Sequence, residues 1–275
     1  MGTDVIDVID SQDGVCLPDS PSEKDWLYAD HCGPLSAKPR KKRDLRAGCS
    51  TVQTQGNDSS CVAQAVVSAI EFLQSRASGG DCDQFSRYFV YYNARRVDQP
   101  NGDLADLGTS VRSAIKGVAK KGVCAESLWP YIRANVNTHP TNDCYEAAEL
   151  HELLEYYRLR NDTMDELRDC LDRGFPFVFL MNYGTDYPKG AEATGYVRVP
   201  TAAELNAGGR HAVMGVGYDD KTKRLTFMNS KGRLWGKGGF GQLDYEYVTR
   251  RDLCSDFWTI RRVEDIGSPG PEYEE

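Results

Sequence analysis

The chain lacks a long apolar run, an excess of positive charge and any closely paired cysteines, and each shortage removes a class of function. No stretch approaches the roughly 18 consecutive apolar residues that a membrane-spanning helix needs. The N-terminus, MGTDVIDVIDSQDG, is acidic where a secretory signal would be basic and then apolar. A soluble chain without a classical export signal is therefore expected, cytoplasmic or exported by a non-classical route, with no membrane partner. Gly2 does not open a myristoylation signal, because Ile6 stands where Ser or Thr is wanted. Lys and Arg number 33 against 41 Asp and Glu, a net charge of -8, and the positive charge is not gathered into one face. Nucleic acid is not an expected partner, since its phosphates must be neutralised by Lys and Arg.

The nine cysteines contain no CxxC pair, and there are only four histidines. Zinc draws its ligands at short paired spacing, so no metal is expected, and nothing points to an organic cofactor. An odd cysteine count leaves at least one thiol outside any intramolecular bridge. The others read as reduced, small and buried, with one or two bridges left open.

What is present is enough for a sizeable core: 275 residues, 40% of them hydrophobic. Residues 1–43 stand apart, with eight acidic residues in the first thirty and then a basic run, Lys38, Arg40, Lys41, Lys42 and Arg43, broken by Pro39. Two readings of this arm are open. It is a solvated tail, or it is a pro-segment lying over an active site, anchored by Trp26, Leu27 and Tyr28 and cut at the basic run. The residues after 263 end in GSPGPEYEE, a tail with nothing to pack.

From Ser60 the pattern is helical, with Val62, Ala65, Val66, Ala69, Ile70 and Leu73 at three- and four-residue spacing. Ser59 and Ser60 are N-cap types ahead of it, and Gly79-Gly80 marks the turn that follows. Further helices are predicted over 84–95, 110–121 and 165–171. After Pro176 the runs 177–183, 211–218, 224–229, 239–245 and 257–262 are short, apolar or alternating, and separated by Gly and Asp, as strands of an antiparallel sheet or partial barrel are. A helical half followed by a stranded half predicts an α+β protein with a cleft between two lobes.

Cys61 stands at the start of the first of these helices. Unpaired N–H groups and a partial positive charge there favour thiolate over thiol, and the thiolate is the form that attacks a carbonyl carbon. It then needs an imidazole to protonate the leaving amine, a polar group to fix that ring and donors for the oxyanion. His211 opens one apolar strand and Asn229 ends the next, so neighbouring strands bring the two together. Gln55, six residues before Cys61, is a neutral donor that can share the oxyanion with the Cys61 N–H.

The segments QGNDSSCVAQA, HAVMGVGY and NSKGRLWGKGGFG resemble the three active-site motifs of the papain family of cysteine peptidases, and the match spans most of 44–262. The likeness is to the bacterial, cathepsin-B-like branch, whose mature domain opens with DLR as Asp44-Leu45-Arg46 does here. His211 lies 150 positions after Cys61, at the edge of the roughly 130 to 150 expected for papain-type enzymes, and Asn229 lies 168 after it. The resemblance implies a papain-like two-lobed fold, with a helical left lobe at about 44–160 and an antiparallel β-barrel right lobe at about 161–263. It implies a Cys61–His211 ion pair, Asn229 on the ring, Gln55 in the oxyanion hole and an extended peptide or protein substrate, cut by a monomeric enzyme.

Substrate-binding residues are also implied. Gly108 falls where the family pairs glycine backbone with substrate, though it also reads as a plain loop glycine. CSDFWTI places Ser255 or Asp256 near the floor of the main specificity pocket, where an acid would admit Arg or Lys as well as Phe or Leu. No His-His pair in 182–209 resembles an occluding loop, which favours endopeptidase action.

Three departures from the family pattern matter. Asp58 replaces the disulfide-forming cysteine three residues before the nucleophile, and Val62 replaces the tryptophan after it. Lys231 replaces the aromatic residue that covers the Asn-His bond, leaving Trp235, at the family spacing, as the candidate shield. Two rival readings stay open: a peptide-binding module on the same fold, and an amidase or transglutaminase-type acyl transferase.

Overall fold

Residues 16–80, 82–264 and 266 are described by the structure, a computed structural model. The acidic start of the arm, with Gly2 and Ile6, and the GSPGPEYEE end lie outside the described residues. The helices are α1 (Tyr28–His31), α2 (Cys61–Ser78), α3 (Arg87–Asp98), α4 (Val111–Lys121), α5 (Asn142–Ala148), α6 (Asp165–Asp172), α7 (Ala202–Asn206) and α8 (Tyr245–Thr249). The strands are β1 (Lys42–Asp44), β2 (Leu153–Leu159), β3 (Phe177–Tyr183), β4 (Gly209–Asp219), β5 (Arg224–Met228), β6 (Phe240–Asp244) and β7 (Cys254–Val263).

The apolar spacing of α2 calls for one buried face, yet every residue from Cys61 to Leu73 is buried, because the helix lies between α3, α4 and β4. Its polar residues must then be satisfied inside the protein. Glu71 shows how: its carboxylate meets Arg87 at 2.9 Å and accepts from Ser50 Oγ and the Phe85 N–H. The helix ends where Gly79 turns left-handed at φ 79° and the Gly80 N–H bonds the Ser75 carbonyl. The other end departs from expectation. Ser60 holds the cap position, but its hydroxyl bonds the Asp58 carboxylate rather than a helix N–H.

All five strands expected after Pro176 form, and they pair antiparallel in the order β2-β7-β3-β4-β5-β6, with β1 added to β4. The path ends at β2 and β6 without closing, so the barrel is partial. Two strands escape the sequence pattern. In β2 only the end residues Leu153 and Leu159 are buried, because its middle is partly covered by the arm: Trp26 stacks on Tyr156 at 5.6 Å and His31 on Tyr157 at 5.0 Å. Without one dry and one wet face, the alternation that announces a strand is lost. The other, β1, is three residues of the basic run, Lys42 facing Asp219 and Asp44 facing Gly217. A Cβ on Gly217 would fall 2.6 Å from the Arg43 carbonyl, so only glycine admits this strand.

Candidate active site

The N-terminus of α2 meets β4, and the candidate residues converge there. Cys61 is the first residue of α2 and fully buried. β4 and β5 run antiparallel with Met214 opposite Met228, so His211 and Asn229 leave the sheet at the same end. His211 Nε2 and Asn229 Oδ1 are 2.8 Å apart. That bond occupies Nε2 and leaves Nδ1 as the ring nitrogen available to Cys61. The Cys61 thiol is held well below the usual range, first by a hydrogen bond from Cys16 and then by the bond and charge of His211; burial opposes both.

Gln55 is buried beside them. Its Nε2 donates to the Asp58 carbonyl at 3.0 Å, its Oε1 accepts from Ser230 Oγ, and its backbone N–H bonds the Ser230 carbonyl. One amide N–H is therefore committed, which leaves the other to face the Cys61 end of the helix.

Asn229 has more support than its own motif predicts. Tyr187, in the loop between β3 and β4, donates its Oη–H toward Oδ1 at 3.3 Å or accepts from Nδ2 at 3.1 Å, and its ring lies 5.7 Å from His211. The ring is buried and packs 6.1 Å from Trp235. Tyr187 thus takes the covering position that Lys231 vacates, with Trp235 one layer out, where its Nε1 donates to the Pro188 carbonyl. Nothing in the three motifs points to Tyr187.

Where a disulfide would anchor the loop before Cys61, the buried Asp58 carboxylate accepts from Ser60 Oγ, from Tyr88 Oη at 2.5 Å and from Tyr131 Oη at 2.7 Å. Next to it Asp106 receives the Ser59 N–H at 3.0 Å and the Tyr91 hydroxyl at 2.7 Å. Charge-assisted hydrogen bonds do here what a covalent bridge does elsewhere.

The remaining candidates border the arm. Cys16 is 4% exposed, and its thiol interacts with the Cys61 sulfur. Burial, and then that sulfur, push the Cys16 thiol well above its usual range. The Leu17 N–H donates to the Thr109 carbonyl at 3.1 Å, one residue beyond Gly108. Gly108 itself has φ 77°, and its N–H donates to Tyr91 Oη at 2.9 Å.

Asp19 accepts from the Arg112 N–H, from Trp258 Nε1 at 2.8 Å and from Arg158 Nη1 at 3.1 Å. The Asp19 N–H donates to Asp256 Oδ2 at 3.1 Å, where Ser255 Oγ also donates, while Asp256 Oδ1 pairs with Arg158 at 2.7 Å. Asp256 reaches this position because φ is 55° there and the β3–β7 register slips beside it, a bulge that re-aims its side chain. Burial, then the Asp19 charge, raise its pKa. Farther along, Tyr28 is fully buried and donates to Asp169 at 2.7 Å.

A family model described as papain family cysteine protease matches residues 38–254. An uncharacterized peptidase C1-like protein of Acanthamoeba polyphaga mimivirus is 32% identical over 219 residues, 77% of this chain and 70% of that one. Among solved structures, xylellain, a cysteine protease from Xylella fastidiosa, is 30% identical with a TM-score of 0.81, covering 91% of this chain and 96% of its own. Procathepsin L 3 from the Tenebrio molitor larval midgut shares the fold at 19% identity, with a TM-score of 0.65 over 90% of this chain and 74% of its own.

Proposed function

Because the chain belongs to the papain family of cysteine peptidases, we propose that it is an endopeptidase working through Cys61, His211 and Asn229 and held inactive by its N-terminal arm. The observation that carries this reading is Asn229 Oδ1 on His211 Nε2 at 2.8 Å, which leaves the opposite ring nitrogen for Cys61, whose thiol pKa His211 helps to lower. In this mechanism the Cys61 thiolate attacks the scissile carbonyl carbon. The oxyanion is received by the Cys61 N–H and the free N–H of Gln55 Nε2. His211 Nδ1 gives its proton to the leaving amine, and the acyl-enzyme remains. His211 next takes a proton from water, whose oxygen attacks the acyl carbon and frees Cys61. Asn229 keeps the ring from turning throughout, and Tyr187 keeps water from that bond.

The arm reading rests on Cys61 being fully buried with Cys16 against it. Substrate has no path to the sulfur until residues 16–19 withdraw. That withdrawal also uncovers Asp256 Oδ2 and the Thr109 carbonyl for a substrate chain. Since Arg158 already pairs with Asp256 Oδ1, Phe-Arg reporter peptides are expected to be cut better than Arg-Arg ones, with both accepted.

Two measurements test the whole. Mass spectrometry of the chain lacking residues 1–37, after treatment with an epoxysuccinyl inhibitor, is expected to find one adduct, on Cys61, absent from the inactive Cys61→Ala. Deleting residues 1–37, which keeps β1, is expected to raise turnover. Labelling elsewhere would end the catalytic assignment, and unchanged turnover would end the role of the arm.

A further inference from the structure

A second cleft, which shares no residue with the active site, opens where the last turns of α3 and α4 approach α5. It measures about 650 Å³, within the range of sites that hold a small ligand. Part of its lining is aromatic. Tyr92 is buried, and the His139 ring stands 5.3 Å from the ring of Tyr92 and 5.5 Å from that of Tyr145. The charge is of one sign: Arg96 and Lys121 line the cleft with His139, and no Asp or Glu does. That is unexpected in a chain whose 41 acidic residues outnumber its 33 Lys and Arg.

These cations are positioned without being consumed. Arg96 and Lys121 each stand in the last turn of a helix, where a cation often serves the final carbonyls. Here the backbone serves them: the Gln99 N–H bonds the Arg95 carbonyl at 2.7 Å, and the Gly122 N–H bonds the Val118 carbonyl at 2.8 Å. Arg96 donates from Nε to Tyr92 Oη at 3.1 Å and from Nη1 to the Gly102 carbonyl at 2.7 Å, which fixes the guanidinium plane and leaves Nη2. Among the described residues Lys121 Nζ meets only the Tyr145 ring, at 5.7 Å. The Pro140 carbonyl, which can only accept, lies 2.6 Å from His139 Nδ1, so that nitrogen carries its proton and Nε2 remains. Two permanent cations with a third polar group beside them call for more negative charge than one carboxylate carries, and guanidinium and ammonium are the groups that take phosphate oxygens. We propose that this cleft binds a multiply charged phosphate compound, with its oxygens on Arg96 and Lys121 and beside His139.

The test is calorimetric titration of the full chain at low ionic strength with tripolyphosphate, phenyl phosphate, orthophosphate and citrate. Tripolyphosphate is expected to bind at a single site. Arg96→Met and Lys121→Met keep the aliphatic stems, and each should weaken that binding about tenfold or more through the loss of a charge-assisted contact. Lys121 is exposed, so its variant should fold and unfold as the wild type does, and it decides the matter even where Arg96→Met loosens the loop at Gly102. Phenyl phosphate binding more tightly than orthophosphate would assign the rings to a phosphate ester, and tripolyphosphate binding more tightly than both would assign a polyphosphate. Equal affinity in wild type and both variants, or heat spread over several weak sites, would reveal only general attraction to surface cations and overturn the site. Citrate bound as tightly as tripolyphosphate would overturn the phosphate class.

Discussion

Tyr187 and Cys61 carry the strongest residue-scale consequences. Tyr187→Phe keeps the ring over His211 and removes only the hydroxyl that meets Asn229. Losing one hydrogen bond of about 1 kcal/mol is expected to lower kcat roughly fivefold with KM little changed. Tyr187→Ala also admits water to the Asn229–His211 bond and should cost clearly more; equal losses in the two variants would deny the ring its covering role. Cys61 makes a claim about pH. With the arm withdrawn, His211 and the Ala212 N–H remain to favour its thiolate. Iodoacetamide labelling of Cys61 in the chain lacking 1–37 should therefore hold its plateau through neutral pH and fall only on the acid side. Cys49, pushed up to about 12 by burial, should label only as the solution becomes strongly alkaline.

At the scale of elements, the loop from Gln55 to Ser60 and the arm behave as two docked segments with charged keys. Asp58 receives three hydroxyls in a buried site. Asp58→Ala is expected to cost about 3 kcal/mol in urea unfolding, because hydrogen bonds to a charged group are lost together, and to lower kcat by loosening Gln55. For the arm the key is Asp19. Asp19→Ala strips Arg158, Trp258 and the Arg112 N–H of a partner. A docking loss of roughly 2 kcal/mol would raise the open fraction, and with it basal activity, about thirtyfold without any cleavage.

These two segments also mark how far the sequence could be read. Helix α2 and strands β3 to β7 were legible because their apolar residues recur at 3.6 or 2 positions, and Cys61, His211, Asn229 and Gln55 stood out as candidates because each sits near an element's end or at a fixed motif offset. Asp58 was noted only as a missing cysteine, since the tyrosines that receive it, Tyr88 and Tyr131, lie 30 and 73 positions away. Asp256 needed a bulge and a left-handed backbone to turn inward, and neither leaves a mark in composition. Cys16 looked like one thiol among nine.

Across the whole molecule, the arm crosses from the helical half, where Leu17 meets Thr109, to the sheet, where Tyr28 is buried and β1 pairs with β4.

If the arm inhibits as proposed, the pairing of β1 with the strand that carries His211 makes it a leashed inhibitor. When residues 16–28 lift away, Lys42–Asp44 stay in the sheet, so the freed segment remains at a local concentration on the order of millimolar. Under that inhibition dilution would not activate the enzyme, and each molecule would silence itself however few copies are present. A substrate would then have to outcompete a neighbour that never diffuses off, which suits a peptidase that answers to a cut rather than to the amount of enzyme made.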